Sequence, residues 1–169
     1  MDLDAAIAAA TFPVRINCSW VRGIEAVQDS TIVLGVIGAD CHAVGNKILD
    51  AYLSQQGFRV INLGVMVSQD EFIDAAIETN AEAILVSSIY GHGEIDCHGF
   101  RDRCVERGLT DITLYVGGNL VVGKKPFVAT AARFRSMGFD RVFPAGVELP
   151  AVVSALRDDL SQKTCALSA

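Results

Sequence analysis

From Thr31 onward the chain alternates short aliphatic, β-branched runs with stretches of helical period, and this alternation is what most restricts the fold. Short apolar runs bounded by turn residues read as strands buried on both faces. They fall at 31–37, 59–63, 83–88, 113–116 and 141–143. The stretches between them predict helices over 43–56, from Ser68 to about Thr79, over 96–107 and over 126–137, with a last helix over 149–160. In the first of these, Val44, Ile48, Leu49, Tyr52 and Leu53 fall on one apolar face. Start and stop signals agree. Ser68 and Glu71 have the spacing of a capping box, Pro126 stands near a first helical position, and Gly57, Gly108 and Gly138 follow three helix ends. Strands alternating with helices in this way give a parallel sheet covered on both faces. The expected architecture is α/β, a flavodoxin-like (Rossmann-like), doubly wound, five-stranded parallel sheet of order 2-1-3-4-5.

In such a sheet, ligands bind in the loops at the carboxyl ends of central strands. The loop after the first strand carries Asp40, Cys41 and His42. Residues two apart in extended backbone point the same way. A carboxylate bonded to one imidazole nitrogen fixes the tautomer and makes the other nitrogen a better metal ligand. Asp40 and His42 therefore suffice for a one-histidine metal site, and the residues alone equally allow a satisfied loop histidine. Neighbours point apart, so Cys41 reads as a passive thiol rather than a nucleophile paired with His42. Cys97 and His98 have no ligand spacing that defines a metal set.

Other nucleotide and phosphate loops are excluded here. Gly35, Gly38 and Gly45 do not have the Gly-x-Gly-x-x-Gly spacing of a dinucleotide fold, and no Gly-Lys-Ser/Thr ending marks a P-loop. The third strand ends in Ser87-Ser88, not in the aspartate of a response regulator.

The series Asp40-x-His42-x-x-Gly45, then forty-one residues, Ser87-x-Ile89 and Gly117-Gly118 resembles the signature of cobalamin-binding domains. Three longer stretches, 31–50, 86–97 and 116–124, resemble the small (sigma) subunits of glutamate mutase, over roughly 31–160. Ile89 departs from the usual Leu, and His92 stands where Gln is expected. The resemblance implies adenosylcobalamin as cofactor, with His42 the lower axial ligand of cobalt in place of the dimethylbenzimidazole and Asp40 its hydrogen-bonded support. It further implies a slot for the displaced nucleotide tail, walled by Cys41, Ala43, Val44 and Gly45, by Ser87, Ser88 and Ile89, and by Gly117, Gly118 and Asn119. His92 borders the corrin or a partner, or is an exposed loop histidine.

The implied activity is that of an isomerase, interconverting L-glutamate and threo-3-methylaspartate through homolysis of the cobalt–carbon bond. The cofactor carries that chemistry and the protein orients it. A chain this small cannot enclose both corrin and substrate, so a large TIM-barrel (epsilon) subunit is the expected partner in a heterotetramer. The alternatives are a corrinoid methyl carrier, which usually has a helical bundle ahead of the domain, and a non-catalytic cobalamin-binding module.

Composition narrows the setting. With 51% hydrophobic and 20% charged residues the chain is globular, and a net charge of −6 argues against a nucleic-acid partner. No apolar run reaches the roughly 20 residues that span a bilayer. Asp2 and Asp4 stand where a secretory signal would be basic, and five irregularly spaced cysteines read as reduced thiols, so a cytoplasmic location is expected. Residues 1–30 are weakly patterned, either a loosely held arm or one that packs on a partner through Phe12 and Trp20. Residues 161–169 read as a frayed tail.

Overall fold

The computed structural model describes residues 30–167 apart from 122, 124 and 125, so the expectations for 1–29, Phe12 and Trp20 included, lie outside the described residues. Strands β1 (Thr31–Val36), β2 (Arg59–Asn62), β3 (Ala83–Ser87), β4 (Thr113–Gly117) and β5 (Arg141–Phe143) form one sheet. Its order is β2-β1-β3-β4-β5, as the alternation predicts, and every pairing is parallel. β1 pairs with both β2 and β3, so the chain leaves it in opposite directions along the sheet. This makes the carboxyl end of β1 the topological switch point.

Strand residues alternate between two cores. Ile32 and Leu34 face one side with Leu53, Phe58, Tyr115 and Leu156. That side is covered by α1 (Ala43–Gln55) and α6 (Leu149–Leu167). Val33, Ile84 and Val86 face the other side with Phe72, Phe100 and Phe134. There the cover is α2 (Gln69–Thr79), α4 (Phe100–Glu106) and α5 (Phe127–Ser136). Ile32, Val33, Leu34, Phe72, Phe100 and Phe134 are wholly buried, each contributing about 1.5–3 kcal/mol of transfer free energy. These two cores hold the carboxyl ends of β1, β3 and β4 level, and the loops leaving them form one rim.

The capping box at α2 is present: Ser68 Oγ accepts from the Glu71 N–H, and the Glu71 carboxylate accepts from the Ser68 N–H. Three expectations need correction. The helix expected over 96–107 is broken into α3 (Gly93–Asp96) and α4, with Gly99 at φ 74° between them. The carbonyls of Asp96 and His98 accept from Gln69 Nε2 at 2.5 and 3.0 Å, so the break leaves no orphaned acceptors at these two residues. The last helix does not fray after 160 but continues to Leu167. Finally, the apolar face expected along α1 is split. Leu49, Tyr52 and Leu53 pack on the core, while Val44 is 73% and Ile48 56% exposed. The buried stripe is Asn46–Leu49–Leu53, rotated away from the Val44–Ile48 side. No described helix is long and apolar enough to cross a membrane.

Candidate functional site

The three loops leaving β1, β2 and β3 meet around Asp40, which is buried although charged. One carboxylate oxygen, Oδ1, accepts the His42 backbone N–H at 3.2 Å and lies 2.7 Å from His42 Nδ1. The other, Oδ2, accepts the backbone N–H groups of Ile89 at 2.6 Å and Tyr90 at 3.2 Å. Burial works against the carboxylate's charge, but the Ile89 N–H and the bonds from His42 outweigh it. The Asp40 carboxyl is therefore held below its usual range. The carbonyl of Asp40 in turn accepts from the Met66 N–H at 3.1 Å.

An ionised Asp40 fixes the histidine. It can only accept, so Nδ1 carries the proton, and in the neutral ring the lone pair sits at Nε2. Nε2 lies 2.8 Å from Ser87 Oγ at the end of β3, a hydroxyl able to donate to that lone pair. His42 stands at the N-cap position of α1 without capping it through its side chain.

The residues expected to wall a slot are gathered on this rim. Cys41 is an exposed free thiol and Ala43 is half-buried. Val44, Ile48, Met66 and Ile89 are all exposed, forming an apolar margin around the histidine. Ile37, just below this margin, is buried and bridged to Val67. A Cβ at Gly45 would meet only His42 Cδ2, at 3.5 Å, so the protein itself leaves that space open. Ser88 Oγ is buried and has no hydrogen-bond partner among the described residues. At Gly118, where φ is 121°, a Cβ would collide with the Ser88 carbonyl. That glycine is required by the close approach of the β3 and β4 ends, whatever else borders it. Gly117 has ordinary room beside Phe143, and Asn119 is exposed. His92 is exposed, its ring 4.9 Å from that of Tyr90.

Two features escaped the sequence reading. Buried Asn46 donates to Asn62 Oδ1 at 2.6 Å and to the Gly64 carbonyl at 3.2 Å, and Asn62 donates to Asp50 Oδ2 at 2.9 Å. This polar strip pins the first turns of α1 to the end of β2. The i, i+4 spacing of Asn46 and Asp50 was its only local signal. The second is Tyr90, whose phenol reaches the loop after β1.

Among the described residues no group of three or more His, Cys, Asp or Glu could hold a metal ion. A lone imidazole whose Nε2 lone pair faces an exchangeable serine hydroxyl suits a metal that brings its other ligands with it. The open space at Gly45, the apolar margin and the unpartnered Ser88 hydroxyl suit a large, mostly apolar group with a polar appendage. These residues fit a corrinoid.

Comparison with known proteins agrees. A family model described as the B12 binding domain matches residues 30–153. The glutamate mutase sigma subunit of Escherichia coli O157:H7 is 64% identical over 137 residues, 81% of this chain and 92% of that protein. The sigma subunit of Clostridium tetani is 56% identical over 137 residues, 81% of this chain and the whole of that protein. Among solved structures, a cobalamin-binding protein from Desulfitobacterium hafniense shares the fold, with a TM-score of 0.64 at 20% identity, covering 78% of this chain and 59% of that one. The chain belongs to the B12-binding domain family and, within it, to the glutamate mutase sigma subunits.

Proposed function

We propose that this chain is the cobalamin-carrying subunit of an adenosylcobalamin-dependent glutamate mutase. The observation that carries the reading is the Asp40–His42 pair at the switch point, with the carboxylate 2.7 Å from Nδ1. His42 Nε2 would be the axial ligand of cobalt, and Asp40 would hold the ring in the required tautomer. Ser87, Ser88, Gly45 and Gly117-Gly118 would border the displaced nucleotide tail, with Ser88 Oγ free to take a polar partner. Val44, Ile48, Met66 and Ile89 present apolar surface towards the macrocycle. When bound, adenosylcobalamin supplies homolytic radical chemistry for interconverting L-glutamate and threo-3-methylaspartate.

The chain's own part is to bind, orient and ligate. The site is a rim rather than a cavity, so the substrate and the upper face of the cofactor need a second protein. The relatives are named as subunits, which supports a partner chain, and a large epsilon subunit is the one proposed for that role. The cobalamin domain is assigned to 31–160.

The test is electron paramagnetic resonance of the chain loaded with Co(II) cobalamin, using 15N-labelled histidine. Coupling of one histidine nitrogen, lost in His42→Gly, is expected; no histidine coupling overturns the assignment. Mixing the chain with the large subunit and adenosylcobalamin, then supplying glutamate and other amino acids, tests the substrate.

A further inference from the structure

We propose that Tyr90 is a positioning residue whose phenol holds the ligand loop in its metal-ready shape before any cofactor arrives. The inference rests on the cobalamin reading above and deepens it. Tyr90 touches that loop twice. Its backbone N–H donates to Asp40 Oδ2 at 3.2 Å, and its Oη accepts the Ala39 N–H, also at 3.2 Å. The phenol proton goes to the Asp96 carboxylate on α3. Burial and this bond to Asp96 raise the Tyr90 hydroxyl above its usual range, so it remains a donor.

Asp96 is itself tied down, because Gln69 at the start of α2 donates to its backbone carbonyl. A single chain of contacts thus links the loop after β1, the loop after β3 and the start of α2. The packing is close: a Cβ at Gly38, where φ is 71°, would collide with the Asp96 carboxylate and the Tyr90 hydroxyl. Gly38 in turn donates to the Val67 carbonyl at 2.9 Å.

The consequence follows from what Asp40 must do. Its hold on Nδ1 is useful only if the carboxylate cannot swing, and two of its four donors are the backbone N–H groups of Ile89 and Tyr90. Those groups point correctly only while the 88–91 loop stays beside Gly38–Ala39. Beside the Asp40 carboxylate itself, the Tyr90 phenol spans this gap, its single oxygen accepting from Ala39 and donating to Asp96. Removing the hydroxyl leaves the ring, its packing and both backbone donors in place, but releases Ala39 from the Tyr90–Asp96 bridge.

The experiment compares the full chain with Tyr90→Phe and Asp96→Asn. In the cofactor-free protein, 15N spectra of the His42 ring report its tautomer. Titration with cobalamin reports affinity, and thermal melting reports the fold. The expected result for either variant is a His42 spectrum shifted towards a mixture of tautomers. Affinity should be about five- to tenfold weaker, the worth of one hydrogen bond, with melting close to wild type. A purely structural role would lower melting and leave the ring spectrum of the folded fraction unchanged, and that outcome overturns the proposal. So does wild-type behaviour in both variants. If wild type binds no cobalamin, the functional reading fails, while the ring spectra still decide for or against Tyr90. Should Tyr90→Phe fail to fold, Asp96→Asn carries the comparison, because it keeps the phenol in place.

Discussion

The sheet carries an anchored carboxylate at each end, and the two are held for different ends. At the amino end, Asp159 accepts from Arg141 Nε and Nη2 at 2.8 and 2.6 Å, and from the Tyr115 hydroxyl at 2.5 Å. All three bonds of that trio close on the one carboxylate. The bonds from Arg141 outweigh burial and hold the Asp159 carboxyl below its usual range, and burial pushes the Tyr115 phenol well up. At the carboxyl end, Asp40 is held by four donors, and one of them, His42, carries on its far side a lone pair that faces the Ser87 hydroxyl at 2.8 Å. The first carboxylate ties α6 to β4 and β5. The second passes its rigidity to a side chain with valence to spare. A buried charge points to a functional site when its network runs on to a group whose outer partner is an exchangeable hydroxyl.

The largest effect that would sharpen this contrast is at His42. His42→Gly should weaken cobalamin binding by more than the roughly 100-fold reached by changes in supporting residues, with little change in melting, because the side chain lies on the rim. Binding titration beside thermal melting checks both halves. Asp40→Asn keeps the ligand but removes the charge and turns one accepting oxygen into a donor, so Nδ1 and the Ile89 and Tyr90 N–H groups cannot all be satisfied and the tautomer is mis-set; affinity or activity should fall about 10- to 100-fold. It should also cost about 1–3 kcal/mol of stability, since Ile89 and Tyr90 lose a charged acceptor. Asp159→Ala should cost a similar 1–3 kcal/mol and leave the affinity of the folded protein unchanged.

The pH dependence of that loss has a definite sign. A depressed carboxyl contributes stability that is complete above its unfolded value, 3.8, and is lost as pH falls through the lower folded value. The difference between wild type and Asp159→Ala should therefore close as denaturation is followed from pH 5 downward. A gap that persists in strong acid would show that the trio acts through packing instead.

A subtler contrast lies within the site itself. Asp40 is fixed from three loops, whereas Val44, Gly45, Lys47 and Ile48 in the first turns of α1 are exposed. Amide exchange should be slow at Ile89 and Tyr90 and fast over 43–49 without cofactor, and bound cobalamin should slow the latter. Equal protection of 44–49 in both states would mean a preformed slot. The smallest effect is expected from removing residues 1–29, since every residue of the rim lies after Thr31. Cobalamin affinity should stay within about twofold of the full chain, a margin of roughly 0.4 kcal/mol.

Much of this was legible in the sequence. Strand order followed from the alternation of elements, and β5 was bounded correctly at Arg141 and Phe143. Asp40 and His42 were legible because their geometry is encoded by a spacing of two residues. What escaped depends on partners far along the chain. The break before α4 is stabilised by Gln69, 27 residues from Asp96, and no local pattern announces a side chain that captures two carbonyls. The role of Tyr90 rests on an N–H 51 residues away. Along α1, apolar periodicity misled because Val44 and Ile48 serve the rim while a buried asparagine takes the inward position.

The 2.8 Å contact between His42 Nε2 and Ser87 Oγ gives loading of this protein a particular character. On the proposed reading, a metal arriving at His42 would not meet a vacant ligand. It would have to displace a hydroxyl, so capture would be a substitution whose speed reaches a ceiling as cofactor concentration rises. That ceiling is set by how often the serine lets go. The freed hydroxyl is then released beside the space that the cofactor's appendage would enter, so giving up one partner prepares the serine to bind another.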